Sequence, residues 1–221
     1  IWANATWLMH YDNSPIEELV IDSRKIAQPE NALFIALNAQ HRDGHTFIED
    51  AYNKGIRNFL VSKNLDVSLL QGSNVLFVKD TLAALQQIAF HKRKQYNVPV
   101  IGITGSNGKT VVKEWLFQLL GEEKDVVRSP KSYNSQIGVP LSVWLMEANH
   151  QIAIFEAGIS QPGEMDKLEH IIQPTIGLFT NIGEAHSEGF LNIRQKINEK
   201  LVLFKHAQQL VYCKDYPELN Q

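Results

Sequence analysis

The chain has 221 residues, with 21 Lys and Arg against 24 Asp and Glu, a formal net charge of −3; 44% of its residues are hydrophobic and 20% charged. That is the balance of an ordinary soluble globular protein, long enough for one large domain or two modest ones, and the near-neutral charge gives no reason to make nucleic acid the default partner. One cysteine, Cys213, excludes an internal disulfide and suits a reducing compartment, and no apolar run approaches the ~20 residues that a membrane span needs. The chain opens on Ile1 with no signal-peptide pattern, so a piece of a longer protein is expected.

From about residue 17 to 95, short apolar runs alternate with turn residues. Glu18 to Ile21 and Ala32 to Leu37 read as strands, His45 to Lys54 has helical spacing through Phe47, Ile48 and Ala51, and Asn58 to Ser62 and Val75 to Val78 read as strands again. Asp80 stands at an N-cap position before a helix with Leu82, Leu85, Ile88 and Ala89 on one stripe. This helix turns basic at His91, Lys92, Arg93 and Lys94 and stops near Asn97-Val98-Pro99. Basic side chains in a last turn complement the helix dipole, so a solvated helix end is the plain reading and a phosphate patch the sharper one.

From Val98 the period changes to repeated strand–helix units. Val98 to Thr104 is an apolar strand that runs into glycine-rich sequence, and Lys109 to Leu120 is a helix with Val112, Trp115, Leu116, Leu119 and Leu120 on one side. Ile152 to Phe155, Thr175 to Phe179 and Gln209 to Tyr212 are further strands, separated by helices at Gly163 to Ile172 and Ile193 to Phe204. Near-continuous apolar strands alternating with helices imply a mainly parallel sheet with helices on both faces. The fold class is therefore α/β, with a boundary near residue 96: a small mixed α/β domain over 1–96 and a mainly parallel sheet over 97–221.

The most informative segment is Gly102-Ile-Thr104-Gly105-Ser106-Asn107-Gly108-Lys109-Thr110, placed between a predicted strand and a predicted helix. Gly105 and Gly108 let backbone N–H groups approach phosphate oxygens, Lys109 brings a point charge to the β/γ-phosphates, and the Thr110 hydroxyl can ligate Mg²⁺. The common P-loop spacing puts a glycine at the position of Ile103, so the strict pattern is missed and Gly102 and Gly105 lie on either side of it. Glu156 closes a further strand. A carboxylate at the C-terminal end of a buried parallel strand points into the ligand crevice of such sheets and suits Mg²⁺; otherwise it is a surface acid. On the helix after residue 193, Lys200 shares a stripe with Ile193, Ile197, Leu201 and Phe204, an unusual place for an ammonium unless it snorkels to water; Lys196 lies off that stripe.

The loop Gly105-Ser106-Asn107-Gly108-Lys109-Thr110, with Gly102 three residues upstream, resembles the ATP loop of the Mur ligases and the related folylpolyglutamate synthases. These are ATP-dependent enzymes that join a carboxylate to an amine. The following Val-Val-Lys113-Glu114 and the stretch Glu156-Ala-Gly158 to Gly163-Glu164 look like the F-type branch. The resemblance implies a nucleotide site made by Thr104, Gly105, Ser106, Asn107, Gly108, Lys109 and Thr110 with Asn134 and Asn181. Asn134 belongs to Tyr133-Asn134-Ser-Gln-Ile-Gly138-Val-Pro140, and its alternative is an Asn in a turn before a helix. The resemblance also makes His186, in Ala185-His186, a metal-site residue and Lys200 a carbamylated lysine. Thr110, Glu156, His186 and Lys200 as its carbamate would then hold Mg²⁺ at two sites, with Lys109, Glu156, His186 and Lys200 as the catalytic set.

Ile21-Asp22-Ser23-Arg24-Lys25 with Asp43-Gly44-His45 resembles the family's amino-terminal domain, which holds the UDP end of the substrate. Ser23 and Arg24 can donate to phosphate or uracil oxygens, and Asp43, Gly44 and His45 are either part of that site or a turn capping the next helix. Where the family carries a glycine after the Ala-Leu step, this sequence has Asn38-Ala39-Gln40. Taken whole, the resemblance implies a ligase of peptidoglycan precursor synthesis in the bacterial cytoplasm. It would add D-alanyl-D-alanine to UDP-MurNAc-tripeptide through an acyl phosphate, with ATP and Mg²⁺. The alternatives are an E-type ligase, a folylpolyglutamate synthase, or a non-catalytic nucleotide-binding module. On this reading the chain ends inside the central domain, the carboxy-terminal domain is absent, a fused alanine racemase is compatible downstream, and the isolated piece has little ligase activity.

Overall fold

The structure, a computed structural model, describes residues 3–39, 42–183, 189–216 and 219. The chain forms two compact units, Ile1–Ile88 and Ala89–Gln221.

The first unit opens with β1 (Thr6–Met9), β2 (Glu18–Val20) and β3 (Ala32–Ile35), then a two-stranded ribbon of β4 (Asn38–Ala39) and β5 (Arg42–Asp43). A 3₁₀ turn over Gly44–Phe47 leads into α1 (Ile48–Asn53), and β6 (Asn58–Val61) and β7 (Asn74–Phe77) follow. The main sheet runs β1-β7-β6-β3-β2, parallel throughout except for the antiparallel edge strand β1. Phe34, Ile56, Phe59 and Val75 fill the core beneath it. The helix α2 (Thr81–Arg93) contains the division between the units. Its N-cap is the expected one: Asp80 Oδ1 accepts from the N–H groups of Leu82 and Ala83.

The second unit holds β8 (Val100–Thr104), α3 (Lys109–Gly121), β9 (Val126–Arg128), α4 (Gly138–Trp144), β10 (Ile152–Glu156), α5 (Glu164–Ile172), β11 (Ile176–Phe179), α6 (Ile193–Leu201) and β12 (Gln209–Tyr212). Its sheet has the order β12-β11-β8-β10-β9 and every pair is parallel. The chain first winds from β8 outward to β9 and back to β10, then reverses to β11 on the other side. That reversal makes the C-terminal end of β8 a topological switch point, where open α/β sheets bind ligands.

Period-2 alternation assigns the faces. Val100, Ala153 and Phe155 join the core under α4 and α5, while Ile101, Ile103 and Ile154 pack against Val112, Leu116, Phe117 and Leu120 of α3. The mainly parallel sheet covered on both faces is the expected fold. One expectation about α3 is corrected: Trp115 and Leu119 are 63% and 71% exposed, not on the packed side, and Val111 joins them outside. The helix is apolar almost all round, so its period could not fix the inward face; Lys113, wholly buried, faces inward instead.

The basic end of α2 is not a solvated helix terminus throughout. Arg93 is buried and its guanidinium donates to the carbonyls of Ile172, Tyr96 and Gln173, two of them at the end of α5. Lys92 lies over the Tyr96 and Trp144 rings and Lys94 over Phe90.

Candidate nucleotide site

The loop between β8 and α3 is shaped by two glycines. Gly105 has φ +144°, and a Cβ there would collide with the Thr180 hydroxyl at the end of β11. Gly108 is the N-cap of α3 with φ +78°, a left-handed conformation that leaves the first N–H groups of the helix open to an anion. Hydrogen bonds from the neighbouring strand exit hold the loop. The Ser106 N–H donates to the Asn181 carbonyl (2.9 Å) and the Asn107 N–H to Asn181 Oδ1 (2.9 Å). Thr180 Oγ1 donates to the Asn107 carbonyl (2.7 Å), and the Gly183 N–H to Ser106 Oγ (3.0 Å). Thr104, fully buried, ties the strand end to the Ala157 carbonyl at 2.8 Å.

Glu156 is the C-terminal residue of β10, one step beyond Phe155, so alternation turns its side chain to the α3 face of the sheet. There its carboxylate is wholly buried and lies 3.0 and 3.2 Å from Thr110 Oγ1. Thr110 Oγ1 also stands 3.3 Å from Ser132 Oγ. Lys113 Nζ sits 3.3 Å from Glu156 Oε1. Sequence reading left Lys113 as a motif residue only; its signal was the spacing, since positions 110 and 113 share a helix face.

Three lysines surround the loop. Lys109 Nζ donates to the carbonyls of Gly105 (2.9 Å) and Ser106 (3.3 Å), and Lys200 Nζ to the same Gly105 carbonyl at 3.1 Å. Lys196 Nζ donates to the Gly183 carbonyl at 2.5 Å. Lys196 and Lys200 are both buried, so the expectation that Lys196 lies off the inward stripe is corrected: the inward residues of α6 are Lys196, Ile197 and Lys200, and Ile193 is 43% exposed. Burial, reinforced by the charges of Lys109 and Lys196, pushes the Lys200 ammonium down to about 7. Burial likewise lowers Lys109, with Glu156 opposing that shift and Lys196 adding to it. An accumulation of cations around open amide donors is an environment for a polyanion.

The structure thus brings Lys109, Thr110, Glu156 and Lys200 to the carboxyl edge of one sheet. His186 lies outside the described residues. Among the described residues no group of three or more His, Cys, Asp and Glu side chains is poised for a metal ion. The Thr110 hydroxyl and the Glu156 carboxylate are nevertheless hard oxygen donors within 3.2 Å of each other, a donor pair that fits Mg²⁺. Asn134 lies behind Gly158, whose N–H donates to the Asn134 carbonyl at 2.8 Å.

In the first unit, Ser23 Oγ donates to Asp50 Oδ2 at 2.5 Å, and the exposed Arg24 pairs with Asp22 at 2.8 Å. Asp43 caps the 3₁₀ turn that begins at Gly44: its carboxylate accepts from the His45 N–H (3.0 Å), His45 Nδ1 (2.6 Å) and Lys63 (2.5 Å). Those bonds hold Asp43 well below the ordinary carboxylate range, Lys63 being the largest cause. His45 Nε2 accepts from the Ser62 N–H at 3.0 Å, which fixes the tautomer with the proton on Nδ1.

A parallel sheet with a glycine-bounded strand–loop–helix, a lysine–threonine pair at the helix start and a buried carboxylate on the next strand defines a P-loop-type α/β protein. The chain belongs to the Mur ligase family: residues 103–221 match the pattern described as "Mur ligase middle domain" and residues 15–101 that of "Mur ligase family, catalytic domain". It is 36% identical over 214 residues to the UDP-N-acetylmuramoyl-tripeptide--D-alanyl-D-alanine ligase of Bacillus subtilis, covering 95% of this chain and 46% of that protein. It is 38% identical to the Treponema pallidum ligase of the same name, covering 81% and 40%. Among solved structures, MurF from Acinetobacter baumannii superposes with a TM-score of 0.82 at 29% identity, covering 93% of this chain and 44% of that one. MurF from Thermotoga maritima, in complex with ADP, gives 0.80 at 27% identity, covering 92% and 47%. The chain therefore spans less than half the length of the relatives it matches. No helix among the described residues is long and apolar enough to cross a membrane.

Proposed function

We propose that this chain is the substrate-entry and nucleotide part of an ATP-dependent ligase that adds D-alanyl-D-alanine to UDP-MurNAc-tripeptide in peptidoglycan precursor synthesis. The observation that carries the reading is the contact between Thr110 and Glu156, which joins the loop to a buried carboxylate on the strand beside it. The relatives' names supply the two substrates, and the ADP complex of the Thermotoga maritima protein supports a nucleotide at this loop.

The reaction transfers the γ-phosphoryl group of ATP to the terminal carboxylate of the tripeptide, giving an acyl phosphate and ADP. The amine of D-alanyl-D-alanine attacks the acyl carbon, phosphate leaves, and the amine gives up a proton as the amide forms. The protein contributes position and charge compensation, since no side-chain nucleophile is required. The open amides at the start of α3, from Gly108 to Thr110, hold the phosphates, and Lys109 leaves its carbonyl partners to neutralise the β- and γ-oxygens. Asn181 and Thr180 keep the loop from relaxing as the charge on it changes. Thr110, Glu156, His186 and Lys200 as its carbamate would hold Mg²⁺, which supplies charge neutralisation at the transferring phosphoryl oxygens. An amine lowered to about 7 is substantially neutral at physiological pH, the state that adds CO₂ to form the carbamate while releasing one proton to water. Ser23, Arg24, Asp43, Gly44 and His45 belong to the unit assigned to the UDP end of the substrate.

The test has two parts. This chain is expected to bind ADP more tightly with Mg²⁺ than without it. The complete ligase is expected to release ADP only when both UDP-MurNAc-tripeptide and D-alanyl-D-alanine are supplied. Release dependent on a different amino component, such as a single amino acid or glutamate added to folate, assigns it to an E-type ligase or a folylpolyglutamate synthase instead.

A further inference from the structure

Lys113 takes no part in the chemistry above, yet it is one of the most completely buried side chains of the protein, with no exposed surface. Its Nζ is surrounded by four acceptors: the Ser129 carbonyl at 2.8 Å, the Lys131 carbonyl, Glu156 Oε1 at 3.3 Å and Glu114 Oε1 at 3.2 Å. An ammonium has three protons to give, so every one of them is engaged. A buried ion pair of this kind adds little to stability relative to apolar side chains of the same shape, and its attested use is to fix one arrangement among several. Two arrangements are at stake here. One is the rotamer of Glu156, whose Oε1 is held by Lys113 at 3.3 Å, while Thr110 Oγ1 lies 3.2 Å from Oε1 and 3.0 Å from Oε2. The other is the segment after β9, where Lys131 is in the left-handed region (φ +48°) and Ser132 reaches Thr110.

We infer that Lys113 is the positioning residue of the cation site: it fixes the Glu156 carboxylate in the rotamer that faces Thr110 and pins the 129–132 segment beside it. The inference rests on the Mg²⁺–nucleotide reading of the loop and extends it to a side chain that touches neither ligand. Lys113 lies four residues beyond Lys109 and three beyond Thr110. One turn of α3 therefore carries the phosphate charge, the cation hydroxyl and the clamp for the cation carboxylate.

The experiment measures ADP affinity of this chain by titration calorimetry in excess Mg²⁺ and again in EDTA. It uses the wild type, Lys113→Met, Glu156→Gln and the double variant. The wild type is expected to bind ADP at least tenfold more tightly with Mg²⁺. Lys113→Met is expected to lose most of that factor while its affinity in EDTA stays within threefold of wild type, because Lys109 and the loop amides are untouched. A general structural defect would lower both affinities together and so count against the inference. In the Glu156→Gln background, adding Lys113→Met is expected to change the Mg²⁺ factor by less than twofold, as required if Lys113 acts through Glu156. If Lys113→Met alone does not fold, the comparison of Glu156→Gln with the double variant, which buries no unpaired charge, decides the matter. An Mg²⁺ factor kept within threefold in Lys113→Met, or a further loss above threefold in the double variant, overturns the role assigned to Lys113. Absence of Mg²⁺-dependent ADP binding in the wild type overturns the nucleotide reading itself.

Discussion

Thr110 Oγ1 lies 3.0 Å from Glu156 Oε2 across 46 residues of sequence. Strand alternation puts Glu156 on the α3 face, and the turn of α3 puts Thr110 over the end of β10. Removing the hydroxyl while keeping the shape isolates its part. Thr110→Val is expected to weaken Mg²⁺-dependent ADP binding by about tenfold, in line with the loss of one hydrogen bond or ligand of about 1–2 kcal/mol. Affinity in EDTA is expected to hold; calorimetry with and without Mg²⁺ reads both.

Lys109 holds the Gly105 and Ser106 carbonyls, partners that the proposed function has it exchange for phosphate oxygens. Lys109→Ala is expected to reduce ADP affinity by roughly 10- to 100-fold, as charge-assisted bonds are about 1.5–3 kcal/mol. The thermal midpoint in the absence of nucleotide is expected to fall little or rise, because a partly buried ammonium is removed. Unchanged ADP affinity would remove Lys109 from the site.

Lys200 gives a pH dependence whose sign is fixed. Its ammonium titrates near 7 in the folded chain and at the ordinary 10.5 when unfolded, so between those values the unfolded state holds a proton that the folded state lacks. Stability is therefore expected to rise with pH from about 7 towards 10.5, and the Lys200 contribution to be flat below 7 where both states are protonated. Urea denaturation in CO₂-free buffer at pH 6, 8 and 9.5, taken as wild type minus Lys200→Met, isolates this group. The difference is expected to slope upward by up to about 1.4 kcal/mol per pH unit. A slope of the opposite sign contradicts the buried, cation-crowded placement.

Much of this site was readable in advance because its chemistry sits where strand and helix periods meet. Gly105 and Gly108 punctuate the change from period 2 to period 3.6, and Glu156 closes an apolar run whose alternation dictates its face. The parts that were not readable fail for identifiable reasons. β1 exposes most of its length and so shows no apolar alternation, and β9 has only three residues. α4 carries Pro140 two residues after its start, which reads as a helix breaker but is tolerated in a first turn whose N–H groups have no helical partners. In α3, apolar residues on nearly every side left the rotation of the helix open, and the polar demand of Thr110 and Lys113 for Glu156 decides it. Lys196 and Lys200 are buried against carbonyls of distant loops, contacts that no local pattern encodes.

Arg93 tests the packing independently of any ligand. Its guanidinium serves three carbonyls, including two at the end of α5, from a position 7% exposed. Arg93→Met keeps the stem and removes the donors, leaving buried acceptors unsatisfied at about 1–3 kcal/mol for the group. Chemical denaturation is expected to show a loss of about 1–3 kcal/mol with ADP affinity within twofold of wild type. A loss below 0.5 kcal/mol would show that solvent replaces the bonds.

The most direct measurement is a crystal structure of this chain grown with ADP and Mn²⁺ in place of Mg²⁺, with the metal located by its anomalous signal. The expected result is a β-phosphate against the amides of Gly108 to Thr110 and a manganese ion bonded to Thr110 Oγ1, with Glu156 bound directly or through one water. A nucleotide bound elsewhere, or a metal ion remote from both Thr110 and Glu156, contradicts it.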